Sequence, residues 1–387
     1  MTATPVTVPF VDLSWQHNPL RNEIEQAIQT VIGQGDFVLG AALTKFEEAF
    51  ASACGVDYGV GVASGTDAIA LGLQACGIGA GDEILIPANT FIATILGVMQ
   101  AGATPILVDS DPQTALLDFK SAEQAITSKT KAIIPVHLYG QMVSPSQLLN
   151  FANAHNLIIF EDAAQAHLAQ REGYIAGSVG MAAAFSFYPS KNLGAFGNGG
   201  MLITRDEEVD KRVRSLRNYG AISKYYHVEI GTNSRLDTLQ AAILQVKLPY
   251  LLEWNRLRNQ AAQEYDRFLR PLQSKGITAI ANQSGTGHVY HLYVIQVGEA
   301  CPFNREEVQK KLAISGIQTG IHYPLPCHLQ PACRHLGYQL GDFPHTEKLC
   351  DRILSLPMYP GLDCDRIQFV CEQLSSLVEV VSMKKGS

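Results

Sequence analysis

Residues 182–204 read AAAFSFYPSKNLGAFGNGGMLIT, and two apolar runs in this stretch enclose a polar, glycine-rich loop. The first run ends at Tyr188, and Lys191 follows it between Ser190 and Asn192. Short apolar runs bounded by Pro, Gly and Ser are typical of strands in a buried sheet. The stretch therefore predicts two neighbouring strands with a lysine presented on the loop that joins them.

Five more apolar runs precede this stretch, and helix-compatible segments such as 66–76 and 145–155 separate them. The seven runs are YGVGVAS (58–64), EILIPA (83–88), TPILVDS (104–110), KAIIPVHL (131–138), LIIFEDA (157–163), AAFSFYP (183–189) and GGMLITR (199–205). Apolar strands alternating with helices predict an α/β fold with a mostly parallel seven-stranded sheet sandwiched by helices. Ligands of such sheets bind beyond the carboxyl ends of the strands.

The pattern changes at Leu236, where residues 236–269 predict a long amphipathic helix interrupted by Pro249. Beyond it, 288–297 and 316–324 are predicted as strands, with helices from Arg305 and from Phe343. We therefore predict a large domain over residues 1–250 and a smaller C-terminal α/β domain over 251–387.

The composition narrows the class of protein. Of 387 residues, 47% are hydrophobic and 17% charged, and the net charge of −7 argues against a sequence-independent nucleic-acid binder. No run approaches the ~18 apolar residues of a membrane span. The start MTATPVTVPFVDL lacks the basic region of a signal peptide, and the eight cysteines lack paired short spacings. We therefore expect a cytoplasmic protein that binds neither nucleic acid nor membrane.

Two ionisable residues follow different strands and have complementary chemistry. A lysine held among apolar groups loses its proton readily, and a neutral amine at Lys191 can form an imine, although most loop lysines are solvated surface charges. Asp162 ends the fifth run, where a carboxylate can hold a protonated pyridinium nitrogen, or serve as a helix cap or structural acid. Gln165 can reach the ring's phenolic oxygen. Phe91 can stack on an aromatic cofactor or belong to the core.

A phosphate site is predicted after the first strand. Ser64, Gly65 and Thr66 lie where the strand passes into a helix, so free N–H groups and the helix dipole face one point. Ser186 and Asn233 can supply further phosphate contacts.

Two other cofactors are less compatible with the motifs. A dinucleotide fingerprint would need glycines after the strand and an acid after the next strand, but Gly59 and Gly61 fall inside the first strand and Asn89 follows the second. A zinc site is suggested by clustered His and Cys residues but lacks the usual paired spacings; the cluster comprises His322, Cys327, His328, Cys333 and His335. We predict no metal, and expect His322 and Tyr323 to contact substrate instead.

The motifs ASGTDA (63–68), EDAAQAH (161–167), FSFYPSKN (185–192) and NSRLD (233–237), in this order, resemble one family. It is the DegT/DnrJ/EryC1/StrS family of pyridoxal-phosphate-dependent nucleotide-sugar aminotransferases, which have fold type I. The resemblance extends from VPFVDL (8–13) to LSLPMYP (354–360). Two positions depart from the family: Asn198, where an acid is expected, and Leu168, where glycine is frequent and the pocket floor is expected to change.

The resemblance implies roles for individual residues. Lys191 is expected to bind pyridoxal 5′-phosphate as a Schiff base and to move the α-proton, with Asp162 on the pyridinium nitrogen and Phe91 stacked on the ring. Further cofactor contacts are expected from Gly65, Thr66, Gln165 and Ser186. Asn233 is expected to reach the phosphate of the neighbouring subunit's cofactor, which implies a homodimer with shared active sites. Expected substrate contacts are Arg235, His322 and Tyr323.

The resemblance also implies an amino donor, L-glutamate, and an acceptor, a keto-sugar nucleotide. The NSRLD segment is similar to versions found in enzymes acting at carbon 3, whereas enzymes acting at carbon 4 more often have GYNYRMT or GYKYNLT. Ser234 in place of a tyrosine leaves room beside the sugar, and Arg235 adds charge. We therefore expect a dTDP-3-keto-6-deoxyhexose as acceptor. A 4-keto sugar or a UDP-3-keto uronate is also compatible with the motifs, as is a sugar dehydratase or a non-catalytic regulatory homologue; in comparable dehydratases histidine replaces the lysine.

Overall fold

The computed structural model describes residues 8–379, and all seven apolar runs form strands of one sheet. The strands are β1 (Tyr58–Val62), β2 (Glu83–Pro87), β3 (Thr104–Val108), β4 (Thr130–Ile133), β5 (Ile158–Asp162), β6 (Ala182–Ser186) and β7 (Gly200–Thr204). Their order across the sheet is β1–β7–β6–β5–β4–β2–β3.

Every neighbouring pair in this sheet is parallel except the two that include β7. The predicted mostly parallel sheet is therefore confirmed. Because six strands point the same way, their carboxyl ends meet at one edge, and β7 begins at that edge. The loops that follow β1, β2, β4, β5 and β6 consequently lie close together.

The helices occupy the intervals between the strands and most of the C-terminal part. They are α1 (Ser14–His17), α2 (Arg21–Gln34), α3 (Ala41–Ala53), α4 (Gly65–Ala75), α5 (Ile92–Gln100), α6 (Phe119–Gln124), α7 (Pro145–His155), α8 (Glu207–Leu216), α9 (Thr238–Lys247), α10 (Leu251–Leu269), α11 (Arg305–Ile314), α12 (Pro344–Arg352) and α13 (Cys364–Glu379). The break between α9 and α10 contains Pro249, as predicted. Among residues 8–379, no helix is long and apolar enough to cross a membrane.

Both faces of the sheet are buried, which explains why its strands are apolar throughout. Side chains alternate along a strand, so Phe160 packs with Ile84 and Leu202 in one core, whereas Ile159 packs with Leu85 in another. Helices α4, α5 and α8 cover the first face, and α3, α7 and α9 cover the second. The sandwich of helices around the sheet is confirmed.

A second, antiparallel sheet lies in the C-terminal part, in the order β8 (Ile277–Ala279), β9 (Tyr293–Val297) and β10 (Ile353–Leu356). Helices α10, α11 and α13 pack with it in a separate core. The helices from Arg305 and Phe343 are confirmed within a residue, and the predicted strand 288–297 is confirmed in its second half.

The strand predicted at 316–324 is wrong. Only two isolated bridges form there, Ile317 with Val8 and Gly320 with Ser355. Gly316 has φ +78°, and Pro324 has no N–H for a ladder hydrogen bond, so the pairing of this segment with β10 is limited to Gly320 and Ser355. The partner of β9 is instead β10, which follows α12 without a turn and was not predicted.

The domain boundary at residue 250 stays a prediction. Helix α10 begins at Leu251, next to the predicted boundary, and it packs in the C-terminal core. Val8, from the other predicted domain, packs in that core too. Residues 1–7 and 380–387 of the two predicted domains lie outside the described part of the chain.

Candidate active site

A cavity of about 390 Å³ lies at the edge where the carboxyl ends of the parallel strands meet. Its walls come from the loops after β1, β2, β4, β5 and β6, and from the segment before β7. All predicted site residues except Asn233 and Arg235 line it: Gly65, Thr66, Phe91, Asp162, Gln165, Ser186, Lys191, His322 and Tyr323. The fold thus brings together residues that are separated by more than 250 positions in the sequence.

Lys191 projects from a short loop between β6 and β7. Its backbone N–H donates to the Tyr188 carbonyl at 2.8 Å. The next residue, Asn192, is buried, and its side-chain amide donates to the Asn255 side chain and to the Val289 carbonyl, both at 2.9 Å. Burial lowers the pKa of Lys191 to about 8, and the charge of Asp162 opposes that shift. A much larger fraction of this amine is therefore neutral near pH 7 than for a solvated lysine.

Asp162 ends β5 and is buried at the same cavity. Its Oδ2 accepts a 2.7 Å hydrogen bond from the Thr94 hydroxyl, and its Oδ1 accepts one of 3.1 Å from the Ala164 N–H. Burial raises the pKa of Asp162, while these hydrogen bonds and the charge of Lys191 lower it. A buried carboxylate in this setting gains from a cationic partner, because a positive charge offsets its desolvation.

The start of α4 presents free backbone N–H groups at the cavity. Ser64 caps the helix by accepting from the Asp67 N–H at 3.1 Å, while the N–H groups of Gly65 and Thr66 precede the first intrahelical bonds. A Cβ on Gly65 would lie 2.9 Å from the Ser186 Cβ, so only glycine permits this approach. The backbone donors, the hydroxyls of Thr66 and Ser186 and the helix dipole all lie at the cavity. This set of groups suits a phosphate.

The opposite wall combines an amide with aromatic rings. The Tyr139 N–H donates to Gln165 Oε1 at 2.7 Å, and Gln165 Nε2 donates to the Tyr323 hydroxyl at 3.1 Å. The half-exposed Phe91 ring lies 5.4 Å from that of Tyr323. Nearby, burial and the charge of Lys191 lower the pKa of His322 to about 4, so its imidazole is neutral. The cavity thus offers flat apolar surface beside a few polar groups.

Asn233 and Arg235 lie outside this cavity. Asn233 is exposed and forms a bridge with Asn218, whose side chain accepts from Arg235 Nη1 at 2.6 Å. The Arg235 guanidinium also lies over the Tyr219 ring, 5.2 Å from its centroid. Within one chain, neither residue contacts the groups that surround Lys191.

The cysteine and histidine cluster is divided between different environments. The Cys327 thiol contacts the Thr90 carbonyl at 3.1 Å, and His328 pairs with Glu347 at 2.9 Å, while His322 faces the cavity. Over residues 8–379, no group of three or more His, Cys, Asp or Glu side chains is arranged to hold a metal ion.

The sequence model of the DegT/DnrJ/EryC1/StrS aminotransferase family matches residues 18–375 of this chain. The chain belongs to this family.

Two curated relatives match almost the whole chain. A pleiotropic regulatory protein from Geobacillus stearothermophilus is 43% identical and covers 96% of this chain and 98% of its own. The dTDP-3-amino-3,4,6-trideoxy-alpha-D-glucose transaminase of Streptomyces venezuelae is 43% identical and covers 92% of each chain.

Two solved structures share the fold. DesV from S. venezuelae, in complex with a ketimine intermediate, is 42% identical with a TM-score of 0.92, covering 97% of this chain and 99% of its own. NtdA from Bacillus subtilis, with bound cofactor PMP, is 34% identical with a TM-score of 0.88, covering 98% and 86%. Together with the family match, these findings make the protein a fold type I sugar aminotransferase.

Several cavity residues were not predicted. Thr94 lies one helical turn beyond Phe91 in ANTFIAT, so its spacing could have revealed it. His291 has no such local signal, because it comes from the start of the C-terminal sheet and reaches Asn192, where Nδ1 lies 3.2 Å from Oδ1. Tyr188 and Ser190, on either side of Pro189, line the cavity too.

The two departures from the family pattern have different positions. Asn198 lines the cavity, whereas Leu168 does not, so the expectation that it alters the pocket floor is wrong. Leu168 instead has φ +60°, in the left-handed region that favours glycine. This conformation explains why glycine is frequent at the position, and it costs leucine about 1 kcal/mol or more.

Proposed function

We propose that the protein uses pyridoxal 5′-phosphate to transfer the amino group of L-glutamate to carbon 3 of a dTDP-linked 3-keto-6-deoxyhexose. The observation that carries the proposal is the convergence of Lys191, Asp162 and the start of α4 on one cavity. An amine, a carboxylate and a phosphate site are the three groups that this cofactor requires. The bound PMP of NtdA and the name of the S. venezuelae transaminase support the cofactor and the carbon position.

The residues present fit the cofactor. Gly65, Thr66 and Ser186 would hold its phosphate, Asp162 its ring nitrogen, and Gln165 its phenolic oxygen. When bound, pyridoxal 5′-phosphate supplies a ring that accepts the electrons of a broken C–H bond. The hydrogen bonds from Thr94 and Ala164 favour the carboxylate form of Asp162 and oppose the burial that raises its pKa, and a cationic ring nitrogen would favour that form further.

Lys191 is proposed to have two tasks. Its lowered pKa makes the neutral amine available to attach the cofactor covalently. The same Nζ, when free, would take the α-proton of glutamate and later give a proton back, while the bound cofactor would accept the electrons of the broken C–H bond. In the second half of the exchange, Lys191 moves the protons in the reverse direction while the sugar ketone gains the amine.

We further propose a homodimer in which Asn233 and Arg235 complete the partner's site. Their position outside the cavity supports this, because a role in binding then requires a second chain. The surrounding segment also exposes large apolar side chains that a monomer would leave in water; they include Tyr219, Ile222, Tyr225, Tyr226 and Ile230, the last 98% exposed. Exposed apolar patches of this kind are typical of interfaces.

Ser234 does not leave room beside a sugar, contrary to the expectation from its small side chain. Ser234 is buried within its own chain, where its hydroxyl donates to Asp67 at 2.8 Å and accepts from the Ala63 N–H at 3.1 Å. It therefore presents no surface to a sugar. The carbon 3 proposal rests instead on the likeness of the NSRLD segment and on the name of the relative. Arg235 remains available to a charged group on the substrate, such as a phosphate or a uronate.

A panel of keto-sugar nucleotides tests this proposal. Purified protein loaded with pyridoxal 5′-phosphate is given glutamate and either 3-keto or 4-keto sugars bound to dTDP or UDP, and amino-sugar formation is measured by mass. We expect amination of the dTDP-3-keto-6-deoxy sugar to be fastest. Amination of 4-keto sugars with no turnover of any 3-keto sugar would overturn the carbon 3 proposal.

Incubation with glutamate alone separates an aminotransferase from a sugar dehydratase and from a regulatory homologue. An aminotransferase releases one 2-oxoglutarate per cofactor in the absence of any sugar, whereas a dehydratase or a purely regulatory homologue releases none. A regulatory role has support in the name of the G. stearothermophilus relative. A loaded protein that releases no 2-oxoglutarate would overturn the whole proposal.

A further inference from the structure

Lys247, the last residue of α9, is buried without an acidic partner. Its side chain is 1% exposed, and no carboxylate among the described residues lies within ion-pair distance. Transfer of an ammonium group out of water costs several kcal/mol unless hydrogen bonds replace its hydration. A leucine or methionine would fill this core position at lower cost. The contacts of its ammonium group must therefore offset this cost.

The ammonium of Lys247 connects the N-terminal segment to the loop that carries Lys191. Nζ donates to the Gly194 carbonyl, lies 3.2 Å from His17 Nε2, and is 5.7 Å from the centroid of the Phe196 ring. Burial and the charge of Lys247 lower the pKa of His17 to about 4, so this imidazole is neutral and accepts a hydrogen bond. Two of the three partners, Gly194 and Phe196, lie within five residues of Lys191.

The bonded carbonyl belongs to a closed turn. The Ala195 N–H donates to the Phe187 carbonyl at 2.8 Å, and the Lys191 N–H closes a smaller turn inside it. At Gly194 a Cβ would lie 2.2 Å from the Pro189 carbonyl oxygen, so the two ends of the turn are in direct contact. A shift of Gly194 consequently moves Pro189 and the lysine between them.

We propose that Lys247 is a positioning residue, whose buried ammonium holds Gly194 and thereby fixes the turn that presents Lys191 to the cavity. It does not line the cavity, so it acts through the turn and not on the substrate. The inference rests on the proposed role of Lys191. Loss of the ammonium leaves the Gly194 carbonyl buried without its donor, and the turn relaxes.

The test compares Lys247→Met with Gln245→Met. Both substitutions replace a polar side chain on α9 with methionine, but only Lys247 contacts the lysine loop. The assay is the single turnover with glutamate, in which kcat is the maximal rate constant of 2-oxoglutarate release and KM the half-saturating glutamate concentration. We expect Lys247→Met to lower this kcat about 100-fold while KM changes less than about twofold, because a displacement near 1 Å costs the chemical step this much. Gln245→Met should keep kcat within about twofold of the wild type, and the melting temperatures of both folded variants should be similar.

Two further variants settle the remaining outcomes. Lys247→Arg retains a donor and should recover most of the lost kcat; recovery no better than with methionine would overturn the proposal. If Lys247→Met does not fold, His17→Leu removes one acceptor and should lower kcat about 3- to 10-fold. An unchanged kcat in either Lys247→Met or His17→Leu would also overturn it. If wild-type protein released no 2-oxoglutarate, the proposed function itself would have failed.

Discussion

The cavity around Lys191 and the segment 233–235 carry motifs of the same family, but one chain completes only the first. The cavity brings together Lys191, Asp162 and the start of α4, which follow three different strands of the sheet. Asn233 and Arg235 do not line it and instead contact Asn218 and Tyr219. The residues around Lys191 are therefore brought together by loops at one edge of the central sheet, within a single chain. In the proposed dimer, a second chain would supply Asn233 and Arg235 to this site.

The largest effect is expected inside the cavity. Lys191→Ala should remove the yellow colour of the loaded protein and lower transamination by about 10⁴-fold, since covalent attachment and proton transfer are lost together. Absorbance and 2-oxoglutarate release measure the two losses. Lys211→Ala is the control, because Lys211 is exposed and pairs with Glu207 on α8. A yellow, active Lys191→Ala variant would contradict the proposed chemistry.

The second prediction concerns the segment outside the cavity. Asn233→Ala should weaken cofactor affinity about 10- to 100-fold, which corresponds to the free energy of a hydrogen bond to a charged phosphate. Mixing it with inactive Lys191→Ala should restore activity to about a quarter, because each mixed dimer contains one intact site. Cofactor titration and activity after subunit exchange are the measurements. If mixing restores nothing, or if the protein stays monomeric with full activity, the shared site is ruled out.

A smaller effect is expected at Thr94, which lines the cavity beside Asp162. Thr94→Val keeps the shape of the side chain but removes the 2.7 Å hydrogen bond to Asp162 Oδ2. We expect the rate constant of the single turnover with glutamate to fall about tenfold, which corresponds to the lower end of the free energy of a hydrogen bond to a charged group. Thr94→Ser, which keeps the hydroxyl, serves as the matched control. Equal activity of the Val and Ser variants would show that Asp162 does not depend on this donor.

The smallest effect is the dependence of cofactor capture on pH. Burial lowers the pKa of Lys191 to about 8, so the reactive neutral amine increases as pH rises through that value. The capture rate of apoprotein should rise about fivefold from pH 7 to 8 and level off above about pH 9, whereas an unshifted lysine would gain tenfold per unit to about pH 10. Stopped-flow absorbance measures it. Because Asp162 raises this pKa, Asp162→Asn should move the midpoint to lower pH.

Sequence reasoning was most successful for ionisable residues that directly follow an apolar run. Lys191 and Asp162 each follow an apolar run, and the parallel order of the strands brings both to one edge. His291 and Thr94 were missed for different reasons: Thr94 is a common residue on a helix, and His291 reaches the cavity from the start of another sheet. The short strand β10 was missed because no turn residue separates it from α12.

The sequence by itself determined the α/β class, the seven strands and the family, because apolar periodicity and short motifs are local properties of the chain. Tertiary structure decided which charged groups are buried together, and hence that the pKa of Lys191 falls to about 8. It also decided that Ser234 faces its own chain, that 316–324 pairs with β10 only at Gly320, and that Lys247 contacts Gly194. These facts depend on contacts between distant segments, and burial and desolvation arise only when such segments pack.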